Sequence, residues 1–504
     1  MENHLYTPFW NFHSKIISSI LPLSKKLTLN TDNNIYKIWQ LNNFKQHPDI
    51  INQYLTCTLN DSSNNSSNDI LSSRKLKIIP NKTQIKLFNK CFNAHRLCYN
   101  NAINEINKRY NNKLNEFTNL THCIYDNCNK NKFEKSFFCH DHINKKPKWN
   151  LDISHQNIRE ATLKKNSDLD DCWLKNVPYD TRDHAVMDAV SAYKSCITNK
   201  KFNNIAKFKL QFKSCHKPNQ IFWITKVAIT PHYNKETINK KIVKTPIGFN
   251  IFPNKLKDKA KLHFLKKDKK WLNNNFPNYQ FDNESKIQRE CGNYYLIINF
   301  KQKILDIKKP NIVASLDPGI RTFMTMFDEK GSIGKFGQNY KELLNKLYIK
   351  IDNIRSNRAK YKLKKRKRYN MRRKEFKLHK KIKDIVSDLH NKSASYLVKN
   401  YNVILLPEFG TSKMVQNSNL HKSVKRDMLS LRFYNYKNKL KHLCEVYKTT
   451  LLIVNESYTS QTCTKCGSLN KIGSNKIYKC SKCSLRIDRD INGARNILIK
   501  SLKD

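Results

Sequence analysis

Residues 311–320 read NIVASLDPGI, and the strand and turn they spell out decide how the C-terminal half of the chain is built. Ile312 to Leu316 is the short, mostly apolar run that a strand buried on both faces requires, and Pro318-Gly319 is a turn signal that ends it. Asp317 therefore stands at the rim of a sheet. A carboxylate there can hold a metal ion, or it can simply start the turn. RTFMTMFDEKG, residues 321–331, then repeats strand and turn.

Further along, Arg355 to Lys383 holds sixteen Lys or Arg and one acid, Glu375, without Pro or Gly. Such a segment reads as a basic helical rod that lies along phosphates. KLKKRKRYNMRRK within it also reads as a nuclear-localisation patch or as a solvated helix face. A strand at Asn402–Leu406, a helix with Leu429, Phe433, Tyr436, Leu440, Leu443 and Tyr447 on one face, and a strand at Thr450–Val454 follow. Strand, helix and strand imply a parallel pair.

Cys463-Thr-Lys-Cys466 and Cys480-Ser-Lys-Cys483 are separated by thirteen residues. Two CxxC knuckles at that separation are a zinc ribbon, and four thiolates close a tetrahedral shell, so the site is structural. Unrelated reduced cysteines are the bland alternative. Asp488-Arg-Asp490-Ile-Asn-Gly-Ala-Arg-Asn-Ile497 follows at once, an acidic turn entering a last helix whose small residues permit close packing.

The N-terminal half is a mixed strand and helix module. After the polar run NDSSNNSSN at 60–68, RKLKII leads to Pro80, with Asn81 as N-cap and Gln84 three residues on. Ile85, Phe88, Phe92, His95, Tyr99 and Ala102 then mark one helix face. A second helix is expected over about Thr181–Thr198, with strands at Ile221–Ile229 and Tyr294–Phe300. Phe222, Trp223, Tyr294 and Tyr295 stand among lysines, but strand aromatics are ordinarily core. Cys123, Cys128, Cys139 and His142 have the spacing C-x4-C-x10-C-x2-H, which can close around a second zinc, with His140 as a substitute ligand.

The 504 residues carry 95 Lys and Arg against 40 Asp and Glu, a formal charge of +55. Charge of this size favours a polyanionic partner whose counterions are released on binding. An AT-biased genome accounts for part of the lysine content but not for its clustering. No stretch reaches the roughly 20 apolar residues needed to cross a bilayer, so a soluble intracellular protein with no membrane partner is expected. Scattered single cysteines fit a reducing compartment.

SLDPGIRTF, then LPEF, NESYTSQTCTKCG, CSKC and DRDINGARNI occur in an order and spacing that resemble the TnpB/Fanzor family over roughly residues 74 to 502. RKLKIIPNKTQIKLFNKCFNAHRLCYNNAI and AKFKLQFKS are more loosely similar to that family's wedge and recognition region. The resemblance implies an α/β chain with three parts. Residues 1–73 are a variable extension and linker. Residues 74–309 form a β-barrel and helical recognition module with a zinc-binding insert at 120–145. Residues 310–504 form an RNase H-like (RuvC) nuclease domain with a basic helical segment at 340–400 and a zinc ribbon at 460–486.

It also implies a guide RNA and a target DNA as partners, zinc as a structural ion, and two Mg²⁺ at a carboxylate site. Asp317 is the first carboxylate and Asp490 the last, with Asp488 in reserve. The middle acid departs from the bacterial pattern, because Pro407 occupies the glutamate's place. Glu408 comes one residue late, which in a strand turns it to the opposite face. Glu456, at the end of the next strand, resembles the relocated acid of Fanzor-like members, whose LP-x-F-x-T-x-x-M form is matched by Leu406, Pro407, Phe409, Thr411 and Met414. It ranks above Glu408. The function implied is RNA-guided DNA cutting. The alternatives are a transposon-associated nucleic-acid binder without nuclease activity, and a strand-joining transposase on the same fold class.

Overall fold

The computed structural model describes residues 69–119, 152–164, 173–202, 208–238, 241–416, 420–471 and 475–501, with residues 128, 131 and 473. The chain is α/β and divides into two compact units, Leu71–Phe300 and a second that contains Lys301–Asp504. The polar run at 60–68 and most of the 1–73 extension lie outside the described residues. Among those described, no helix is long and apolar enough to cross a membrane.

In the first unit, strand β1 (Asp69–Ile78) runs into helix α1 (Lys82–Asn119). The capping box expected from the sequence is formed. The Gln84 amide N–H donates to Asn81 Oδ1 at 2.9 Å and the Asn81 amide N–H to Gln84 Oε1 at 3.1 Å, so two otherwise orphaned donors are satisfied. The apolar face of α1 changes partner along its length. Phe88 and Phe92 pack with Leu76, Phe222, Ile287 and Leu296 of the sheet, while Tyr99, Ala102 and Ile103 pack with Ala185, Val186 and Ala189 of α2 (Tyr179–Lys201).

Strand β2 (Asn219–Ile224) ends earlier than the reading of one strand over Ile221–Ile229 requires. A turn of 3-10 helix at Lys226–Ala228 intervenes, and β3 (Ile229–Ile238) pairs with β4 (Lys241–Ile251) in a separate ribbon. Apolar periodicity runs on unchanged through such a corner and so cannot reveal it. With β5 (Ser285–Glu290) and β6 (Asn293–Lys303), the main sheet has the order β1-β6-β5-β2. The segment 261–264 links the two, with isolated bridges Asn250↔Lys261 to the ribbon and Ile78↔Phe264 to β1 of this sheet.

The second unit is built on a sheet of order β11-β10-β7-β8-β9. Strands β7 (Val313–Pro318), β8 (Met324–Asp328) and β9 (Ile333–Phe336) form an antiparallel meander. Strands β10 (Val403–Pro407) and β11 (Thr450–Val454) add parallel to β7. Alternate residues feed two cores. Ala314, Leu316, Ile404, Leu406 and Leu451 face one side. Val313, Val403, Leu405, Leu452 and Val454 face the other, where the last helix lies.

The expected single basic rod is two helices, α3 (Tyr340–Lys360) and α4 (Lys365–Asn400), broken at Tyr361, whose backbone is extended. The break lets the one acid of the segment be used twice. Glu375 is buried and accepts from Arg355 Nε at 2.7 Å and Arg358 Nη1 at 2.6 Å. The helix read across Leu429 to Tyr447 is likewise two, α5 (Lys422–Leu431) and α6 (Phe433–Val446), separated by Arg432 at φ 50°. That left-handed residue rotates the face, so Met428 and Leu431 enter the core and Leu429 is left 59% exposed.

Candidate metal centres

Asp317 follows Val313 and Ser315 along β7 in strand alternation, so all three belong to the face covered by α7 (Arg489–Ser501). The helix is fastened there. Ser315 Oγ donates to the Ala494 carbonyl at 2.7 Å, and Gly493 passes so close to the acid that a Cβ on it would lie 2.6 Å from Asp317 Oδ2. Any side chain at 493 would have to push the carboxylate aside.

Register places the other acids. Val403 and Leu405 pair with Val313 and Ser315 in the parallel ladder, so continuing it sets Pro407 level with Asp317 and on the same face. Pro407 pairs in turn with Val454. Glu456, two residues beyond Val454, keeps that face, and it is partly buried whereas Asn455 before it is exposed. Glu408 has the parity of Leu406, turns to the opposite face and is exposed. Val454, the partner of Pro407, thus leads on to Glu456 with the parity of that face, while Glu408 turns away from it.

Asp488 and Asp490 separate by their partners. Asp488, at the end of strand β12 (Arg486–Asp488), receives Lys335 Nζ at 2.6 Å and caps α7 by accepting the Asp490 amide N–H at 2.9 Å. Asp490 sits in the first turn of α7. Among the described residues no lysine or arginine is in ion-pair contact with Asp317, Glu456 or Asp490, in contrast to Asp488 with Lys335 and Glu375 with its two arginines.

The consequence is electrostatic strain. Burial, then the charges of Asp490, Glu456 and Asp488, push the Asp317 carboxyl well above its ordinary range, with Arg489 opposing. Burial raises Glu456. Burial and then Asp488 raise Asp490, against Lys335, Arg489 and Arg321. Acids on a partly open rim, whose charge is offset only in part by Arg489, Lys335 and Arg321, have the donor chemistry of a hard divalent cation site.

The thiol cluster is tighter. Among the described residues, Cys463, Cys466, Cys480 and Cys483 are the one group of three or more candidate ligand atoms that all lie within 4.8 Å of one another. Sγ of Cys463 is 3.5 Å from that of Cys483, and Sγ of Cys466 is 3.6 Å from that of Cys480. Zinc with bonds of about 2.3 Å in a tetrahedron asks for about 3.8 Å. The Lys465 and Cys483 amides donate to Cys463 Sγ and Cys480 Sγ, each at 3.4 Å. Backbone donors aimed at sulfur suit thiolates, and these four could hold zinc.

Of the other expected cluster, Cys123, Cys139, His140 and His142 lie outside the described residues, and Cys128 alone is described. The aromatics among lysines are engaged within the first unit. Phe222 is core, Trp223 Nε1 donates to Asp188 while Lys286 lies over its ring, and Lys75 lies over Tyr295. The basic side chains at 364–368 and 372–374 are exposed along α4. Sequence reading passed over Ser315, Asn492 and Asn496. The small residues near 493 were the only signal of the close contact with Asp317.

Three family models match parts of the chain. OrfB_IS605, described as "Probable transposase", matches residues 298–418. Its companion helix-turn-helix domain matches 70–114, and the Cas12f1-like TNB domain matches 433–497. A "TnpB-like protein" of Acanthamoeba polyphaga mimivirus is 26% identical over 444 residues, 86% of this chain and 74% of that protein. InsQ of Escherichia coli (strain K12), called "Putative RNA-guided DNA endonuclease", is 24% identical over 42% of this chain and 55% of its own length. A cryo-EM structure of a Cas12f1–sgRNA–target DNA complex aligns with 86% of this chain and 99% of its own at 16% identity and a TM-score of 0.39. The OrfB_IS605 model and its helix-turn-helix companion match in the N-to-C order 70–114 and 298–418, and with a TnpB-like relative matched along most of both chains they make this chain similar to the TnpB-like proteins.

Proposed function

We propose that the protein is an RNA-guided DNA endonuclease, encoded by or derived from a transposable element, that cuts by two-metal phosphodiester hydrolysis in an RNase H-like (RuvC) domain. The observation that carries this is the placing of Asp317 near the end of β7, Glu456 just past the end of β11 and Asp490 in the first turn of the helix that covers Asp317, each raised by burial and Asp317 raised further by the charges of the other two. Asp317 is the central ligand, held in place under Gly493; Asp490 and Glu456 flank it from the helix start and the end of β11. Glu408 takes no part. Mg²⁺ held by Asp317, Glu456 and Asp490 would supply an activated water and stabilise the leaving oxygen of in-line hydrolysis.

The protein's own contribution is positioning and charge. Arg489 and Arg321 act electrostatically on the acids and offset part of their repulsion. The exposed bases of α4 track the phosphates of guide RNA and target DNA, so that base pairing selects the site and the protein holds the backbone. The four thiolates hold a structural zinc in a ribbon. Glu456 in place of an acid at 407 is the Fanzor-like form of the family. A binding protein whose site has decayed at Pro407 is the competing account, and Glu456 on the same face supports the nuclease instead.

The test is cleavage by the purified full chain loaded with RNA transcribed beside its own gene. Guide-matched DNA is expected to be cut with Mg²⁺, and Asp317→Ala is expected to lower the rate by at least about 10³-fold while RNA binding persists. RNA binding without any Mg²⁺-dependent cutting by the unaltered protein would favour the binder.

A further inference from the structure

Two uncharged side chains of α7 link the two candidate metal centres. Asn492 is fully buried and Asn496 is 3% exposed, yet neither amide serves its own helix. Asn496 Nδ2 donates to the Thr459 and Thr462 carbonyls, both at 2.7 Å. Asn492 Nδ2 donates to the Thr462 carbonyl at 2.9 Å, and its Oδ1 accepts the Thr464 amide N–H at 3.1 Å. Buried amides are ordinarily satisfied somewhere, and here every one of these bonds goes to the loop 459–464.

That loop has Glu456 just before it and Cys463 within it. Thr459 reaches back to the glutamate, its amide and its Oγ1 both donating to the Glu456 carbonyl, at 3.2 and 2.8 Å. Tyr458 between them is held at φ 66°, a conformation a bulky residue does not choose unaided. The helix that grips the loop also carries Asp490 in its first turn and presses Gly493 against Asp317. One rigid element therefore sets the position of all three acids.

We propose that Asn492 and Asn496 are positioning residues for the Glu456 carboxylate, fixing it relative to Asp490 and Asp317 and passing to it the order of the thiolate centre at Cys463. The proposal rests on the reading of the three acids as a divalent-ion site. Outer groups that orient metal ligands alter metal affinity by about 10–100-fold when removed, and this pair acts one step further out, on the loop that carries the ligand.

The test uses the full chain with its guide RNA, in which Fe²⁺ replaces Mg²⁺ and ascorbate with peroxide generates radicals that cut the backbone beside the bound ion. Cuts are mapped by mass spectrometry, a readout independent of DNA cleavage. The unaltered protein is expected to be cut near 317, 456 and 490. In Asn496→Leu, which keeps the branching at Cγ and loses the donors, the cut near 456 is expected to fall several-fold while those near 317 and 490 remain. The Mg²⁺ concentration for half-maximal DNA cleavage rises about 10-fold. Thr459→Val, which removes one bond on the other side of the same link, shifts both readouts in the same direction by less, and it alone decides if Asn496→Leu does not fold. Parental cutting patterns and Mg²⁺ midpoints in folded variants would overturn the proposal. An unaltered protein with no cut near 317 or 490 would instead overturn the divalent-ion reading beneath it.

Discussion

The thiolate and carboxylate centres share one loop and one helix but are assembled in opposite ways. The four sulfurs stand within 4.8 Å of one another, with backbone amides already aimed at Cys463 and Cys480. The acids are not drawn into so close a group, Asp317 is raised by the charges of Asp490 and Glu456, and among the described residues no lysine or arginine is in ion-pair contact with the three. A closed shell of four ligands leaves no position for water, and a partly open set of acids leaves several. The difference teaches that close approach of the ligand atoms marks the thiol cluster, while raised carboxyls with only partial counter-charge mark the acids.

The largest effect is expected where the closed site is opened. Cys466→Ser should lose one equivalent of zinc by elemental analysis and destabilise the second unit by several kcal/mol. DNA cutting should fall with it, because Cys463 shares its loop with Thr459 and so with Glu456. Full zinc retention in Cys466→Ser would break the comparison.

A smaller effect of opposite sign is expected at the acids. Asp317 is raised above the ordinary carboxylate range in the folded chain. Without divalent ions its protonation therefore favours the fold at low pH, and that benefit is lost as pH rises through the raised value. Asp317→Asn should abolish cutting yet raise the melting temperature of the metal-free protein at neutral pH, on the order of 2–4 °C per kcal/mol gained. The gain should vanish in acid. Mg²⁺ should raise the melting temperature of the unaltered protein more than that of the variant. Thermal melts across pH with and without Mg²⁺ measure this, and a variant less stable than its parent at neutral pH would contradict it.

Much of this was legible in the residues. NIVASLDPGI announces a strand with an acid at its rim, and the CxxC pairs announce four ligands, because both are local patterns whose meaning does not depend on what packs against them. The Asn81/Gln84 capping box is local in the same sense. Corners were not legible. Apolar alternation continues through Lys226–Ala228, and helical periodicity continues through Arg432 and Tyr361, since backbone breaks there answer to packing elsewhere, such as the pairing of Glu375 with Arg355 and Arg358. Asn492 and Asn496 were invisible for the same reason. An asparagine in a helix says nothing of a carbonyl thirty or more residues away until the fold brings it there. The choice between Glu408 and Glu456 lay between these cases, because strand parity could be counted from sequence but its face could be assigned only once α7 was seen to cover Val313, Ser315 and Asp317.

That choice is also the most direct test of the central claim. DNA cleavage by the guide-loaded protein should be compared among Glu408→Gln, Glu456→Gln, and Glu456→Gln combined with Pro407→Glu, which returns a carboxylate level with Asp317. The account predicts a rate within about 2-fold of the parent for the first, a loss of about 10²-fold or more for the second, and substantial recovery in the third. A severe loss in Glu408→Gln with Glu456→Gln left active would contradict it.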